Sequence, residues 1–363
     1  MESNHTSTTA AAPPEEPTVV VGRTAGTGRI ELNRPRAINA LGNDMVAIID
    51  GALRQWRDDA EVARVLITGR GERGLCAGGD IKAIHASITA GDEDAMLFFA
   101  TEYAMNHAIA DYPKPYVAIM NGITMGGGVG VSAHGSHRIV TDSTKVGMPE
   151  TGIGLFPDVG ATHLLARVPD HVGTWMALTG DPVGPGTAIA LGLADTFVPD
   201  ARVPDLVAAL EALPAEGDLE ATIARFAAEA PADPTAADRE WIAACFDQPT
   251  VPEVLAALDA AGSSGNEAAA SAAATIRTKS PRSLAVTLEM LRTAPGMTLA
   301  EVLERDLRTG LGLARRPDLV EGIRAQVIDK DRNPQWNPAT LEEISPAEVS
   351  DILDTPVERT VFA

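Results

Sequence analysis

From residue 18 to about residue 140, short apolar runs alternate with stretches whose apolar residues recur at helical spacing. "TVVVG" and "GRIELN" read as two strands around Gly26-Thr27-Gly28, a hairpin signal. "LGNDMVAIIDGALRQW" places Met45, Ile48, Ile49, Ala52, Leu53 and Trp56 at three- and four-residue steps, the stripe of a helix with one buried face. "VARVLITGRG" is predicted to be a strand ending in a glycine turn, and "YVAIM" and "HRIVT" two further strands. Strands alternating with helices need crossover connections, which predicts an α/β layout.

Past about residue 200 the texture changes. "DLVAALEALPAEGDLEATIARFAAEAP", "REWIAACF" and "VPEVLAALDAAG" are helical pieces broken by Pro and Gly. "SSGN" reads as a loop, and "PRSLAVTLEMLR" and "TLAEVLERDLRTGLGLAR" as amphipathic helices. The pattern divides the chain into a polar, Pro-rich tail expected to be disordered (1–17), an α/β core (18–204) and a mainly helical C-terminal region (205–363). No internal repeat is apparent.

Composition then narrows the partners. The formal net charge of −21 over 363 residues argues against nucleic acid or an anionic membrane surface. It leaves room for an anionic small ligand held by a local basic cluster. Two cysteines, Cys76 and Cys245, make neither a disulfide framework nor a zinc site, and both read as buried small hydrophobes. The N-terminal stretch lacks the basic and apolar regions of a signal peptide, and no apolar run is long enough to span a bilayer, so a cytoplasmic location is expected.

Candidate chemistry gathers in three glycine-rich stretches. In "CAGGDIK", Asp80 is placed to cap a helix, which would leave the N–H of Gly79 pointing out of the helix start; the same pattern also fits an ordinary strand–turn–helix connection. In "GITMGGGVG", Gly126-Gly127-Gly128 precedes "VGVSAHG", which can begin another helix. Two such starts at the ends of neighbouring strands can aim two N–H groups at one oxygen, as in an oxyanion hole. A weaker reading of "GVGVSA" is a dinucleotide fingerprint, with Glu150 as its distal acid. The third stretch, "MPETGIGLFPDVG", sets Glu150 and Asp158 eight residues apart among Gly and Pro. Carboxylates buried in such a setting gain pKa values useful for proton transfer, whereas in solvent they are only turn residues.

Taken together, "LNRPRAINAL", "GLCAGGDIK", "GITMGGGVG" and "MPETGIGLFPDVG" resemble, in order and spacing, the crotonase (enoyl-CoA hydratase/isomerase) superfamily. "FFATEYAMNHAI", "KPYVAIMNGITMGGGVGVSAHG" and "VEGIRAQVIDKDRNPQWNP" narrow the resemblance to the 3-hydroxyisobutyryl-CoA hydrolases within it, from about residue 18 to about 340. The resemblance implies a spiral of repeated ββα units followed by a helical region. It implies oxyanion donors at the N–H groups of Gly79 and Gly127, with Glu150 and Asp158 flanking a thioester carbonyl. Glu102 matches a further pocket carboxylate. Asp80, Ile81 and Lys82 follow the first donor as substrate-binding residues, and Arg36 and Lys330 join Lys82 where basic residues meet the CoA phosphates. The second glutamate of the hydratases falls on Gly130, where no carboxylate exists, which argues against water addition. Asn121 stands where the hydrolases commonly carry His.

The expected activity is therefore hydrolysis of a short β-hydroxyacyl-CoA, with 3-hydroxyisobutyryl-CoA of valine breakdown first in line. No metal or redox cofactor is implied, CoA enters as part of the substrate, and a homo-oligomer is the possible assembly. The alternatives are an enoyl-CoA isomerase or hydratase, and a non-catalytic CoA-ester binding protein.

Overall fold

The computed structural model describes residues 16–362. Its strands are β1 (Val19–Thr24), β2 (Thr27–Leu32), β3 (Arg64–Gly69), β4 (Tyr116–Met120), β5 (Ile123–Met125), β6 (His137–Val140), β7 (Lys145–Gly147) and β8 (Thr196–Phe197). Six form one sheet in the order β1-β2-β3-β4-β6-β8, antiparallel only between β1 and β2. β5 and β7 pair in parallel in a second, two-stranded sheet. Single bridges extend that second layer: Leu41 meets Gly79, Cys76 meets Thr124, and Val146 meets Val183. Successive turns of the chain thus give one strand to the main sheet and a shorter piece to the second layer, then continue into helix. This is the expected α/β spiral of ββα units.

The local reasons are legible. β3 and β4 are covered on both faces, so they read as continuous apolar runs. Helix α1 (Asn43–Arg57) buries Met45, Val46, Ile49, Ala52, Leu53 and Trp56, while Ile48 is only partly covered. Trp56 lies so close to β2 that a Cβ on Gly28 would come within 2.6 Å of the indole. Helix α2 (Ile81–Ala90) begins at Asp80, whose side chain accepts from Ala83 N, and stops at Gly91. Helix α3 (Asp94–Ala110) follows at once.

Three details depart from the sequence pattern. The hairpin turn is Ala25–Gly26, because Thr24 pairs with Thr27; the residues expected to turn are already in β2. The expected disordered tail lies outside the described residues as far as residue 15. Its last two residues are held, Glu16 by Arg70 at 2.5 Å and the Pro17 carbonyl by Asn33 Nδ2 at 2.8 Å. The helix expected in "VGVSAHG" is a single turn, α4 (Gly127–Gly130), so the dinucleotide fingerprint has no helix to lead.

The outer face of the main sheet is covered by residues 203–226, with Leu206, Leu210 and Ile223 packed on Leu66, Val117, Ile119 and Ile139. The helices at 239–246, 251–263, 281–293 and 299–314 end within a residue or two of their predicted limits. Thr250, Ser280 and Thr298 cap three of them, Thr298 in a reciprocal box with Glu301. They share one core with α1 and α3. The C-terminal region also presses on the loop after β7: a Cβ on Gly154 would lie 2.3 Å from the carbonyl oxygen of Asp318, in the helix Pro317–Ile323, and Gly160 N–H donates to Asp306 in 299–314. No helix among the described residues is long and apolar enough to cross a membrane.

Candidate active site

A cavity of about 310 Å³ opens where the two glycine-rich stretches meet the loop after β7. Segment 78–79 runs alongside segment 126–127. A Cβ on Gly78 would stand 3.7 Å from Gly127 N, and one on Gly127 would stand 3.4 Å from Gly79 N. Among the described residues neither the Gly79 N–H nor the Gly127 N–H has an acceptor. Two unpaired donors therefore lie side by side at the cavity wall. Glycine is required here by space and by conformation. Gly126 has φ +52°, and a Cβ there would meet Glu150 Oε1 at 2.7 Å; a Cβ on Gly127 would meet Glu102 Oε1 at 2.4 Å.

Three carboxylates face the same space. Glu102 comes from α3, Glu150 from the short 3₁₀ turn after β7, and Asp158 from the loop beyond it. They are 2%, 7% and 5% exposed. Burial pushes the Glu102 and Glu150 carboxyls well above the usual carboxylate range, and the charge of Asp158 adds to it. Burial also lifts Asp158, to about 6, against the hydrogen bond donated by Tyr103 Oη at 2.7 Å to Asp158 Oδ2. Glu102 Oε1 and Glu150 Oε2 are buried without a partner among the described residues. Cys76 is not a candidate nucleophile, since burial pushes its thiol up to about 12.

The loop that carries Asp158 is strained. Val159 has φ +52° and Gly160 φ +75°, two consecutive left-handed residues, the first of them β-branched. Such a residue costs about 1–3 kcal/mol and persists only where its surroundings over-determine it. His134 Nε2 meets the Val159 carbonyl at 2.7 Å. Burial pushes the imidazole down to about 4, so it is neutral and donates.

Gly79, Ile81, Glu102, Gly127, Glu150 and Asp158 thus come together around one cavity. The other expected contacts do not reach it. Asp80 caps α2 with its carboxylate and takes the Arg34 guanidinium at 2.8 Å, outside the cavity wall. Arg36, Lys82 and Lys330 are exposed and stand outside the cavity wall. Asn121 also lies outside it, its carbonyl accepting from Leu75 N. Gly130 faces Asn106 and Val159. A Cβ there would be 2.8 Å from Asn106 Nδ2 and 3.0 Å from Val159 Cβ, so a larger side chain would have to displace both.

Sequence reasoning missed Tyr103, Lys279 and Gln326. The last two line the cavity from C-terminal segments; Lys279 has no local motif, and Gln326 lies in "VEGIRAQVIDKDRNPQWNP", which carries the resemblance without singling it out. Lys279 is the one cation among the described lining residues, and its Nζ lies 3.7 Å from where a Cβ on Gly152 would stand. Tyr103 has a local signal, since it adjoins Glu102 on a helix buried nearly all round.

Backbone donors beside buried acids, on a spiral of ββα units, define an acyl-CoA enzyme fold, and the chain belongs to the enoyl-CoA hydratase/isomerase family, whose pattern matches residues 27–353. The 3-hydroxyisobutyryl-CoA hydrolase, mitochondrial, of Xenopus tropicalis is 39% identical over 325 residues, covering 88% of this chain and 84% of its own. The human protein of the same name is 37% identical over 337 residues, covering 90% and 86%. Among solved structures, a carnitinyl-CoA dehydratase from Mycobacterium thermoresistibile is 45% identical with a TM-score of 0.90, covering 95% of this chain and 98% of that one. An enoyl-CoA hydratase from Rhodobacter sphaeroides 2.4.1 is 43% identical with a TM-score of 0.85, covering 93% and 97%. The names of the curated relatives place those proteins in mitochondria, which lends no support to the cytoplasmic location expected for this chain.

Proposed function

We propose that the protein hydrolyses the thioester of a short β-hydroxyacyl-CoA, 3-hydroxyisobutyryl-CoA first among them, as a step of valine breakdown. The observation that carries this reading is the pairing of two unpartnered backbone donors with Glu150 and Asp158, at a site where Gly130 supplies no second carboxylate of the hydratase kind. The names of the relatives at 36–39% identity support it. The solved structures named as hydratase and dehydratase share the fold but favour addition of water to a double bond, and the test below separates the two.

In this mechanism the thioester oxygen accepts from Gly79 N–H and Gly127 N–H. Those donors stabilise the charge that develops when the carbonyl carbon becomes tetrahedral, each worth roughly 3–4 kcal/mol. Glu150 supplies the electron pair by one of two routes. It attacks the carbonyl carbon itself, giving a mixed anhydride that water then cleaves, or it takes a proton from a water that attacks. In both the C–S bond breaks and the thiolate leaves as CoA thiol, with Asp158 supplying the proton or orienting the water. The net change is thioester plus water to carboxylic acid plus thiol. Glu102, set against Gly127, binds the substrate hydroxyl or supports Glu150. Lys82, Arg36 and Lys330 draw the CoA phosphates to a chain that is otherwise strongly acidic.

The test is thiol release from 3-hydroxyisobutyryl-CoA measured beside crotonyl-CoA hydration, for wild type and Glu150→Gln. Thiol release with no hydration, and a loss of about 10²–10⁴-fold in the variant, is expected. Hydration without thiol release from any β-hydroxyacyl ester would overturn the reading.

A further inference from the structure

The C-terminal helix Leu299–Ala314 carries an acid that the proposed chemistry does not use. Asp306 is 0% exposed. Its Oδ2 accepts from Gly160 N–H at 2.9 Å, across 146 residues of chain, and its Oδ1 is buried with no partner among the described residues. A carboxylate on the apolar stripe of a helix is costly, and packing alone would favour leucine there. The bond it makes falls on the strained loop, at the second of its two left-handed residues and two positions after Asp158. The loop is fixed at three further points: His134 Nε2–H on the Val159 carbonyl, Ala161 N–H on the Asp158 carbonyl at 2.8 Å, and Tyr103 Oη–H on the Asp158 carboxylate. Leu299, from the first turn of the same helix, would meet a Cβ on Gly160 at 2.6 Å, so helix and loop are in direct contact.

We propose that Asp306 is a positioning residue: by holding Gly160 N–H it locks the strained Val159–Gly160 turn and keeps the Asp158 carboxylate in the cavity beside Glu150. Of the contacts that fix the turn, this one comes from the C-terminal helical region, so that region completes the geometry of a loop belonging to the core. Burial pushes the Asp306 carboxyl well above the usual range, and the charge of Asp158 adds to it. An amide at this position keeps an oxygen that can still accept from Gly160 N–H. The inference rests on the proposed hydrolysis for its kinetic consequence, but the loop contact can be tested without substrate.

The experiment compares Asp306→Asn and Asp306→Ala with wild type in two readouts. The first is amide hydrogen exchange of the peptide spanning 155–165. The second is kcat and KM for thiol release. In Asp306→Ala we expect the Gly160 amide to exchange at least about tenfold faster and kcat to fall roughly 10- to 100-fold, with KM within about threefold, because a displaced catalytic group costs turnover more than binding. Asp306→Asn is expected to keep amide protection and to hold kcat within about threefold. Wild-type exchange at Gly160 in Asp306→Ala overturns the proposal, as does unchanged kcat or an equal loss in both variants. If Asp306→Ala does not fold, a hundredfold kcat loss or lost Gly160 protection in a folded Asp306→Asn overturns it, and retention of both supports it. Absence of thiol release in the wild type would remove the hydrolase reading and leave the exchange result to decide the role of Asp306.

Discussion

Replacing Asp158 by asparagine removes a charge that the fold holds against its own stability. In the unfolded chain the carboxyl titrates near 3.8, and in the folded protein burial lifts it to about 6. A raised acid pKa means that the native state binds the proton more tightly, so its ionisation opposes folding once the pH passes the unfolded value, and fully so above the folded value. The difference is about 2 pKa units, or about 3 kcal/mol, fully present by pH 8, about half present at pH 5 and fading below 4. Asp158 is 5% exposed, so solvent screening takes little from this figure. Asparagine keeps an acceptor for Tyr103 Oη. It also removes the charge that raises Glu102 and Glu150, which acts in the same direction. Thermal melts of wild type and Asp158→Asn at pH 5 and pH 8 read the effect. The variant is expected to melt several degrees higher at pH 8, with about half that gain at pH 5, while losing thiol release at both. Lower stability than wild type at pH 8, or equal shifts at the two pH values, would refute the argument that desolvation of this carboxylate dominates.

The same geometry makes further predictions. Gly127→Ala drives a Cβ to 2.4 Å from Glu102 Oε1 and displaces the adjacent donor, so kcat should drop by roughly 10²–10³-fold in the thiol-release assay. Tyr103→Phe removes a hydrogen bond that lowers the Asp158 pKa, so the ionisation near 6 in the pH profile of kcat/KM should move up by roughly 1–2 units; an unmoved profile would show that the bond is not felt. Single turnover in H₂¹⁸O bears on the two roles of Glu150: label in the Glu150 side chain marks an anhydride that water opens at the glutamyl carbonyl, and label only in the product acid shows that water adds to the acyl carbon and refutes that route.

Much of the site was legible because it is local. Gly79, Gly127, Glu150 and Asp158 sit in stretches whose glycine spacing and apolar flanks announce a strand end or a tight turn, and the period of apolar residues located α1, β4 and four of the C-terminal helices to within a residue or two; Glu102, in the middle of α3, was marked only by the family resemblance. What stayed illegible is what depends on approach through space. The seat of Lys279 and Gln326 at the cavity wall follows from how the C-terminal region docks, which no neighbouring residue encodes. The cap at Asp80 was readable from its place before α2, but its pairing with Arg34, 46 residues away, was not. Asp306 left a trace in the sequence, an acid on the same helical stripe as Val302, Leu303 and Leu307, although its partner at Gly160 could not be read there. The sequence by itself determined which residues can donate, accept or titrate and which elements carry them, since propensity, capping and glycine placement act over a few residues. Only the tertiary structure decided which of those groups lose water together. Desolvation and mutual charge set their pKa values, and both depend on distances across the fold that sequence spacing does not fix.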